Sequence, residues 1–462
     1  MHLAEQIAAL SMSITYDSLP PEAVHWAVHW AKVGILDYLG VTLAGSTEPA
    51  ARIAYEALTE YPSSAPSAVF GRPVRAVPLE AALINGVASH ALDFDDISNT
   101  MGGHPSAPVL SALFAAADEK RFSGKEFVAA YVAGFEVETK IARGVNFHHY
   151  TKGWHPTATL GVFGSAVACA RLLNLGEREV ATALALAASS ACGIKANFGT
   201  MAKPFHVGQC ARSGLLAAKL ASRGFTANAG VFEHKQGFLD VYNGSGTYDV
   251  SRILDRWAAP LDIVSPGIAI KQYPCCGSTH PAIDAMLTIV REHDLQPEGV
   301  RKIKAWLHPR RLEHTNRQWP NSNLDAKFSL QYCLARAIID RKIVMGQFKG
   351  QDYFEPTIQR LLGLTEALPY TSAQFDEDNH FGAEVEVHTV DGSVLRTKVQ
   401  QALGRTSDDP LPAPLLREKF VNCCIGVLTE EATEKLYTEI DGFEHAADIR
   451  TITSFATGDL TR

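Results

Sequence analysis

Apolar residues recur every three or four positions through most of about the first 265 residues. This spacing places apolar side chains on one face of an α-helix. Prolines 20 and 21 open one such run, which stops at Gly45, and Ser123 and Gly144 bound another in the positions expected of a helix N-cap and a helix end. The pattern predicts a mainly helical region, and its many Ala, Gly and Ser residues indicate closely packed helices.

The pattern changes near Ile268. Segment 268–276 looks extended, segment 299–309 alternates apolar and polar residues like a strand, and two more alternating runs flank Asp391-Gly392, a dipeptide that favours a tight hairpin. Helical spacing separates these runs and returns after them. We therefore predict a mainly α protein in which residues 268–400 form a separate α+β domain.

The composition is that of a globular protein. The chain has 462 residues, 46% hydrophobic and 20% charged, with a formal net charge of −8. This length suggests two to four domains. The negative charge argues against a nucleic-acid partner, but a local cluster of Lys and His can still bind a small anion.

The sequence carries no targeting or disulfide signal that we recognise. The first ten residues lack a basic stretch before an apolar core, so we predict no signal peptide. No window reaches about 18 uninterrupted apolar residues, so we predict no membrane span. The eight cysteines form no CxxC pair, which is typical of a reduced, cytoplasmic protein without disulfides or a structural zinc site.

Three carboxylates and a histidine crowd the stretch ALDFDDISNTMGGHPSAPVL, residues 91–110. Asp93 and Asp96 are three positions apart, so both can face one side of a helix end. Solvated acids are the alternative interpretation, although anions are disfavoured at a helix C-terminus. A second alternative is a Mg²⁺ or Mn²⁺ site built from Asp93, Asp95, Asp96 and His104.

Two further stretches place ionisable groups where helices are expected to begin. In HHYTKGWHPTATLG, His155 precedes a helix, whose N-terminus attracts anions, whereas His148 and His149 are expected to be exposed. In GTMAKPFHVGQC, Lys203 and His206 are expected just before a helix. A lysine there can bind or protonate a carboxylate, although a surface position is the commoner fate of lysine.

A fourth stretch, IKQYPCCGSTHPAID, falls at the predicted domain junction. Clefts between domains favour ligand sites, so its polar residues are candidates for substrate binding. Inert packing of the cysteines is the alternative. The candidates here are Lys271, Tyr273, Cys276 and His280.

Motifs for several other chemistries do not occur. We find no calcium loop, no HExxH, no glycine-rich nucleotide loop and no G-x-S-x-G elbow. The remaining His, Asp and Lys residues suit general acid/base chemistry on a small polycarboxylate.

Six short segments, in this order along the chain, resemble the MmgE/PrpD family: HALDFDD, GHPS, GWHPT, KPFHVG, KQYPCCGSTH and AKFSLQY. That family includes 2-methylcitrate dehydratases, cis-aconitate decarboxylases and iminodisuccinate epimerases. The resemblance implies a large all-α domain, residues 1–267 and 401–462, with a smaller inserted α+β lid, residues 268–400. It also implies a homodimer, a basic substrate pocket between the domains, and catalysis without a metal or organic cofactor.

Position by position, the resemblance implies that Asp93, His104, His155, Lys203, His206 and Lys271 belong to the site, and the chemistry of their side chains suggests their roles. Lys203 and Lys271 are candidates for carboxylate binding and charge stabilisation, His104 and His155 for proton transfer, and Asp93 for orienting a histidine or accepting a proton. The full expected set comprises catalytic Asp93, His104, His155 and Lys203, and substrate-binding His206, Lys271, Tyr273, Cys276 and His280.

Two positions depart from the family pattern. Ile97 stands where dehydratase and decarboxylase members carry Thr, and Cys276 stands where decarboxylase members carry His. These departures weaken the cis-aconitate decarboxylase interpretation, and the segments MGGHPS and YPCCGSTH look more like the branch of the family that contains the epimerase. The first candidate function is a 2-methylcitrate dehydratase-like lyase that abstracts a proton next to a carboxylate, with an iminodisuccinate epimerase-like isomerase as the alternative. Less favoured alternatives are a cis-aconitate decarboxylase, a metal-dependent hydro-lyase and a non-catalytic binding protein.

Overall fold

The computed structural model describes residues 1–17, 20–60, 65–376 and 379–458. Internal contacts divide the chain into two compact units. The first contains Met1–Ile270, Thr406–Asp408 and the described residues from Pro412 onward, and the second contains Lys271–Arg405 and Asp409–Leu411. The fold is mainly α with small sheets, which confirms the predicted fold class.

The first unit is built from helices and one short hairpin, β1 (Ser67–Ala68) with β2 (Arg75–Ala76). Ser123 caps its helix as predicted, since its Oγ accepts a hydrogen bond from the Glu126 N–H at 3.3 Å. The helices before the second unit are α1 (Leu3–Ser13), α2 (Pro21–Gly45), α3 (Pro49–Leu58), α4 (Pro78–Ala91), α5 (Ser106–Ala117), α6 (Gly124–Val145), α7 (His148–Lys152), α8 (Pro156–Thr159), α9 (Gly161–Leu172), α10 (Glu177–Ser190), α11 (Ala202–Ala221) and α12 (Val250–Leu254).

The second unit packs helices on a four-stranded sheet. Its strands are β3 (Val300–Leu307), β4 (Thr365–Pro369), β5 (Ala383–Thr389) and β6 (Val394–Val399), and they lie in the order β4-β3-β5-β6. Met286 and Ile289 of the first of these helices share a fully buried core with Val385 and Val387 of the sheet. The predicted hairpin around Asp391-Gly392 is confirmed by the antiparallel pairing of β5 with β6. The helices of this unit are α13 (His280–His293), α14 (Pro309–Thr315), α15 (Asn323–Lys327), α16 (Leu330–Asp340) and α17 (Pro356–Leu364).

The C-terminal helices belong to the first unit. Lys419 Nζ lies 2.5 Å from the buried Asp37 Oδ1, and the Phe443 ring packs 5.2 Å from that of Phe127. These buried contacts hold the C-terminal helical region against α2 and α6. The helices are α18 (Ala413–Cys424), α19 (Glu430–Asp441) and α20 (Arg450–Gly458).

Helices α4 and α11 touch through glycines. A Cβ atom added at Gly86 would lie 2.6 Å from the Gly208 Cα, and one added at Gly208 would lie 2.3 Å from the Leu83 carbonyl oxygen. Real Cβ atoms do not approach other atoms so closely, so both positions need glycine. This contact fixes the relative position of the two helices that carry His90 and Lys203.

One local expectation is wrong, and a second holds only in part. Lys203 and His206 lie inside α11 rather than before it, because Pro204 in the first turn removes only an N–H that has no partner within the helix. Segment 268–276 joins no strand of the sheet. Ala269 alone pairs with Ile97, and the chain then bends, with the Cys275 N–H donating to the Tyr273 carbonyl.

All eight cysteines are free thiols, and all but Cys192 are buried. Within the described ranges, no helix is long and apolar enough to cross a membrane.

Candidate active site

The acidic stretch begins where α4 ends. Asp93 adopts the left-handed conformation with φ 53°, which an Asp tolerates better than most residues. This turn sends Asp93 and Asp96 to different partners, Lys203 and Ser106. The expectation that Asp93 and Asp96 face one side of a helix end is therefore wrong.

Asp93, Lys203 and His104 form one buried group. The Lys203 ammonium donates a short hydrogen bond to Asp93 Oδ1, and His104 Nε2 lies 3.7 Å from the same oxygen. Lys203 Nζ also lies 5.2 Å from the centre of the Phe198 ring. The structure thus brings together three of the four predicted catalytic residues, from the α4–α5 connection and from α11.

Asp95 lies between two histidines. Its Oδ2 is 2.8 Å from His90 Nδ1 and 3.1 Å from His104 Nδ1. Burial raises the pKa of Asp95, but its close contacts and hydrogen bonds with the His104 and His90 imidazoles outweigh burial and hold this pKa well below its usual range. Burial lowers the pKa of His90 to about 4, so His90 is neutral at pH 7 and orients the carboxylate as a hydrogen-bond donor.

Sequence reasoning missed His90 and gave Asp95 a role only as a ligand in the alternative metal site. The only local signal for His90 is a histidine in the last turn of an apolar helix, directly before an acidic stretch. A buried histidine that is hydrogen-bonded is the commoner outcome of that signal, so it does not point to a site.

His155 and His206 form a second pair. Their Nδ1 atoms are 3.2 Å apart, and the His155 ring centre lies 5.7 Å from that of His90. Burial lowers the pKa of His155 well below its usual range, with smaller contributions from His90 and Lys203. Burial and Lys203 also lower the pKa of His206. A neutral pair can share one proton between the Nδ1 atoms.

Asp96 has a different environment. Its carboxylate accepts hydrogen bonds from the backbone N–H and the hydroxyl of Ser106, and Tyr131 contacts that hydroxyl. Burial, reinforced by the nearby Asp37, raises the pKa of Asp96 well above its usual range. Asp96 therefore stabilises the beginning of α5.

Three side chains could hold a metal ion. The ligand atoms of His90, Asp95 and His104 all lie within 4.8 Å of one another. Two imidazoles and a carboxylate suit a divalent transition metal rather than Mg²⁺. This set differs from the predicted one, because it includes His90 and omits Asp93 and Asp96.

The remaining predicted residues belong to the second unit. Lys271 is buried, and the Tyr273 hydroxyl donates a 2.5 Å hydrogen bond to Asp284 Oδ1. The His280 ring lies 5.1 Å from that of Tyr273, and the Cys276 N–H donates to the Lys327 carbonyl at 2.9 Å. These contacts order the segment before α13, while the binding roles of its residues stay predictions.

The expectation that His149 is exposed is wrong. It is buried rather than exposed, with Nδ1 2.9 Å from Asn243 Oδ1 and Nε2 2.8 Å from Thr159 Oγ1. Burial lowers its pKa to about 4. The short helix α7 turns this side chain inward, whereas His148 is exposed as predicted.

Comparisons with known proteins cover nearly the whole chain. The MmgE/PrpD N-terminal domain matches residues 5–251, and the MmgE/PrpD C-terminal domain matches residues 273–442. A cis-aconitate decarboxylase from Homo sapiens is 30% identical over 95% of this chain and 94% of its own. One from Mus musculus is 30% identical over 92% and 88%, and one from Aspergillus terreus is 26% identical over 97% and 94%. These matches show that the chain belongs to the MmgE/PrpD family.

Proposed function

We propose that the protein is an acid/base enzyme that moves a proton on the carbon next to a carboxylate of a small di- or tricarboxylate. The observation that carries this proposal is the buried contact of Asp93, Lys203 and His104. The relatives support the substrate class, because cis-aconitate is a tricarboxylate.

Negative charge must accumulate on the reacting carbon and its carboxylate in such a reaction. A fixed cation in a water-poor site stabilises that charge well. Lys203 is buried and hydrogen-bonded to Asp93, so it is positioned before substrate arrives. We assign Lys203 to charge stabilisation and keep Lys271 as a second candidate cation in the same reaction.

We assign proton transfer to the histidines. We propose that His104 acts as the acid or base, oriented by Asp95, which His90 in turn holds. The His155–His206 pair is the second group able to take or deliver a proton. Asp93 holds the Lys203 ammonium in place through its hydrogen bond, and it accepts a proton in the alternative assignment.

Dehydration is our first candidate reaction, because it needs a base at carbon and an acid at the leaving hydroxyl, and the first unit carries two proton-bearing groups. Epimerisation by the same two groups is the alternative. The names of the relatives favour decarboxylation, while Ile97 and Cys276 depart from the residues expected of decarboxylases.

One experiment separates these reactions. The protein is incubated in D₂O with 2-methylcitrate, citrate, cis-aconitate and iminodisuccinate, and each mixture is followed by NMR. A new alkene indicates dehydration, loss of CO₂ indicates decarboxylation, and deuterium incorporation without loss of a group indicates epimerisation. If none of these compounds changes, or if the Lys203→Ala variant is as active as the wild type, the proposal is wrong.

The close approach of His90, Asp95 and His104 favours one further candidate, a metal-dependent hydro-lyase. We expect full activity after exhaustive chelation and dialysis, because Asp95 is already occupied by two imidazole partners. Elemental analysis of the same sample supplies the control. Loss of activity on chelation, restored by a divalent metal, would favour the metal mechanism instead.

A further inference from the structure

Two arginines of the second unit flank one aromatic ring. The Arg311 Cζ lies 4.8 Å from the centre of the Phe381 ring, and the Arg405 Cζ lies 4.6 Å from it. The ring attracts each guanidinium, but the two positive charges repel each other. Burial and the charge of Arg311 lower the pKa of Arg405 to about 9, which leaves it charged at neutral pH.

Hydrogen-bonding groups surround these cations. Arg311 donates to the Ser278 hydroxyl at 3.1 Å and to the His380 carbonyl at 2.5 Å. Ser278 Oγ also lies 3.1 Å from His314 Nε2. Ser278 belongs to the segment KQYPCCGSTH, so its hydrogen bond with Arg311 links the arginines to that segment.

We propose that Arg311 and Arg405 form a carboxylate-binding site of the second unit, with Ser278 and His314 as further hydrogen-bond partners. A polycarboxylate that pairs with both guanidinium groups places negative charge beside each of them, and the planar fork of each group matches a carboxylate. That the ligand is a di- or tricarboxylate rests on the proposed function. Inorganic phosphate has related chemistry and serves as the competing ligand in the test.

The test is calorimetric binding of tricarballylate, a tricarboxylate without a leaving group, to the full chain. We expect Arg311→Gln and Arg405→Gln each to weaken binding about 10-fold or more, since each removes a charge-assisted hydrogen-bonding pair. The matched control is Arg301→Gln, at an exposed position of β3, which should bind like the wild type. Wild-type affinity in both arginine variants, or no binding to the wild type, overturns the proposal.

A second measurement needs no variant. Phenylglyoxal modifies accessible arginines, and peptide mass spectrometry measures the extent of modification at each arginine. We expect tricarballylate to protect Arg311 and Arg405 from modification while Arg301 reacts as before. Equal modification with and without the ligand means that the arginines only pack on Phe381, and equal protection by phosphate overturns the carboxylate assignment.

Different results would contradict the proposed function and the proposed arginine site. Tricarballylate binding requires no turnover, so lost binding in the arginine variants supports the site even if no substrate reacts. Conversely, an active enzyme whose arginine variants bind tricarballylate normally keeps its proposed function and loses only this site.

Discussion

At the scale of single residues, the site depends on which atoms each carboxylate meets. Asp93, Asp95 and Asp96 are neighbours in sequence, but they pair with a lysine, two histidines and a serine respectively. The contacts with His104 and His90 hold the pKa of the buried Asp95 well below its usual range, whereas the Ser106 hydroxyl does not prevent burial from raising the pKa of Asp96. Identical side chains thus acquire different chemistry.

The central residues can be tested by removal. We expect Lys203→Ala and His104→Ala each to lower kcat/KM by about 1000-fold, because each removes a group placed for charge stabilisation or proton transfer. Steady-state kinetics on the substrate found by NMR measures this, with circular dichroism to check the fold. Lys219→Ala, on the same helix as Lys203 but paired with Glu119, is the control. A near-wild-type rate in either test variant contradicts the proposed site.

At the scale of elements, periodicity and caps predicted most helices of the chain. Helix α2 begins and ends as expected, and Ser123 caps α6. The beginning of α11 was misplaced because Pro204 suggests a break, although proline is tolerated in a first turn. Strand β4 was missed, since Thr365–Pro369 follows α17 directly and is too short to show a clear alternation.

The contact of α4 with α11 gives a prediction at this scale. Gly86→Ala places a methyl group 2.6 Å from the Gly208 Cα, so the helices must separate. We expect a loss of about 1–3 kcal/mol in the free energy of unfolding, measured by urea denaturation, and a lower kcat/KM because His90 and Lys203 move apart. Gly346→Ala meets open space and should leave both quantities unchanged. If the Gly86→Ala variant is as stable as the wild type, the two helices accommodate the added methyl group without loss of stability, and this prediction is wrong.

At the scale of the whole molecule, the buried neutral histidines link stability to pH. The pKa of His149 falls from 6.5 to about 4 on folding, so the unfolded chain takes up this proton first as the pH decreases. Its contribution to stability is complete above pH 6.5 and decreases toward pH 4. We therefore expect acidification to destabilise the protein through this residue.

The contribution of His149 is isolated by substitution. Between pH 7 and pH 5 the wild type should lose about 2 kcal/mol more of its unfolding free energy than His149→Gln, which has no proton to gain. Urea denaturation at both pH values measures the difference, and subtracting the two proteins cancels the titration of other groups. Parallel pH profiles of the two proteins would contradict the buried, neutral state of His149.

Assembly also belongs to this scale. The family resemblance leads us to propose a homodimer, and light scattering after size-exclusion chromatography measures its mass.

The sequence by itself determined the fold class, most of the helices, the family and the residue types that the proposed chemistry needs. These follow from local information, because apolar spacing, caps and short motifs act over a few positions. Only the tertiary structure decided which groups meet. Lys203 reaches Asp93 across 110 positions, the glycine contact of α4 with α11 sets their distance, and the left-handed turn at Asp93 directs Asp96 away. The partners that the fold supplies then separate the pKa values of Asp95 and Asp96, which are equally buried, since those partners come from several elements and follow no local pattern.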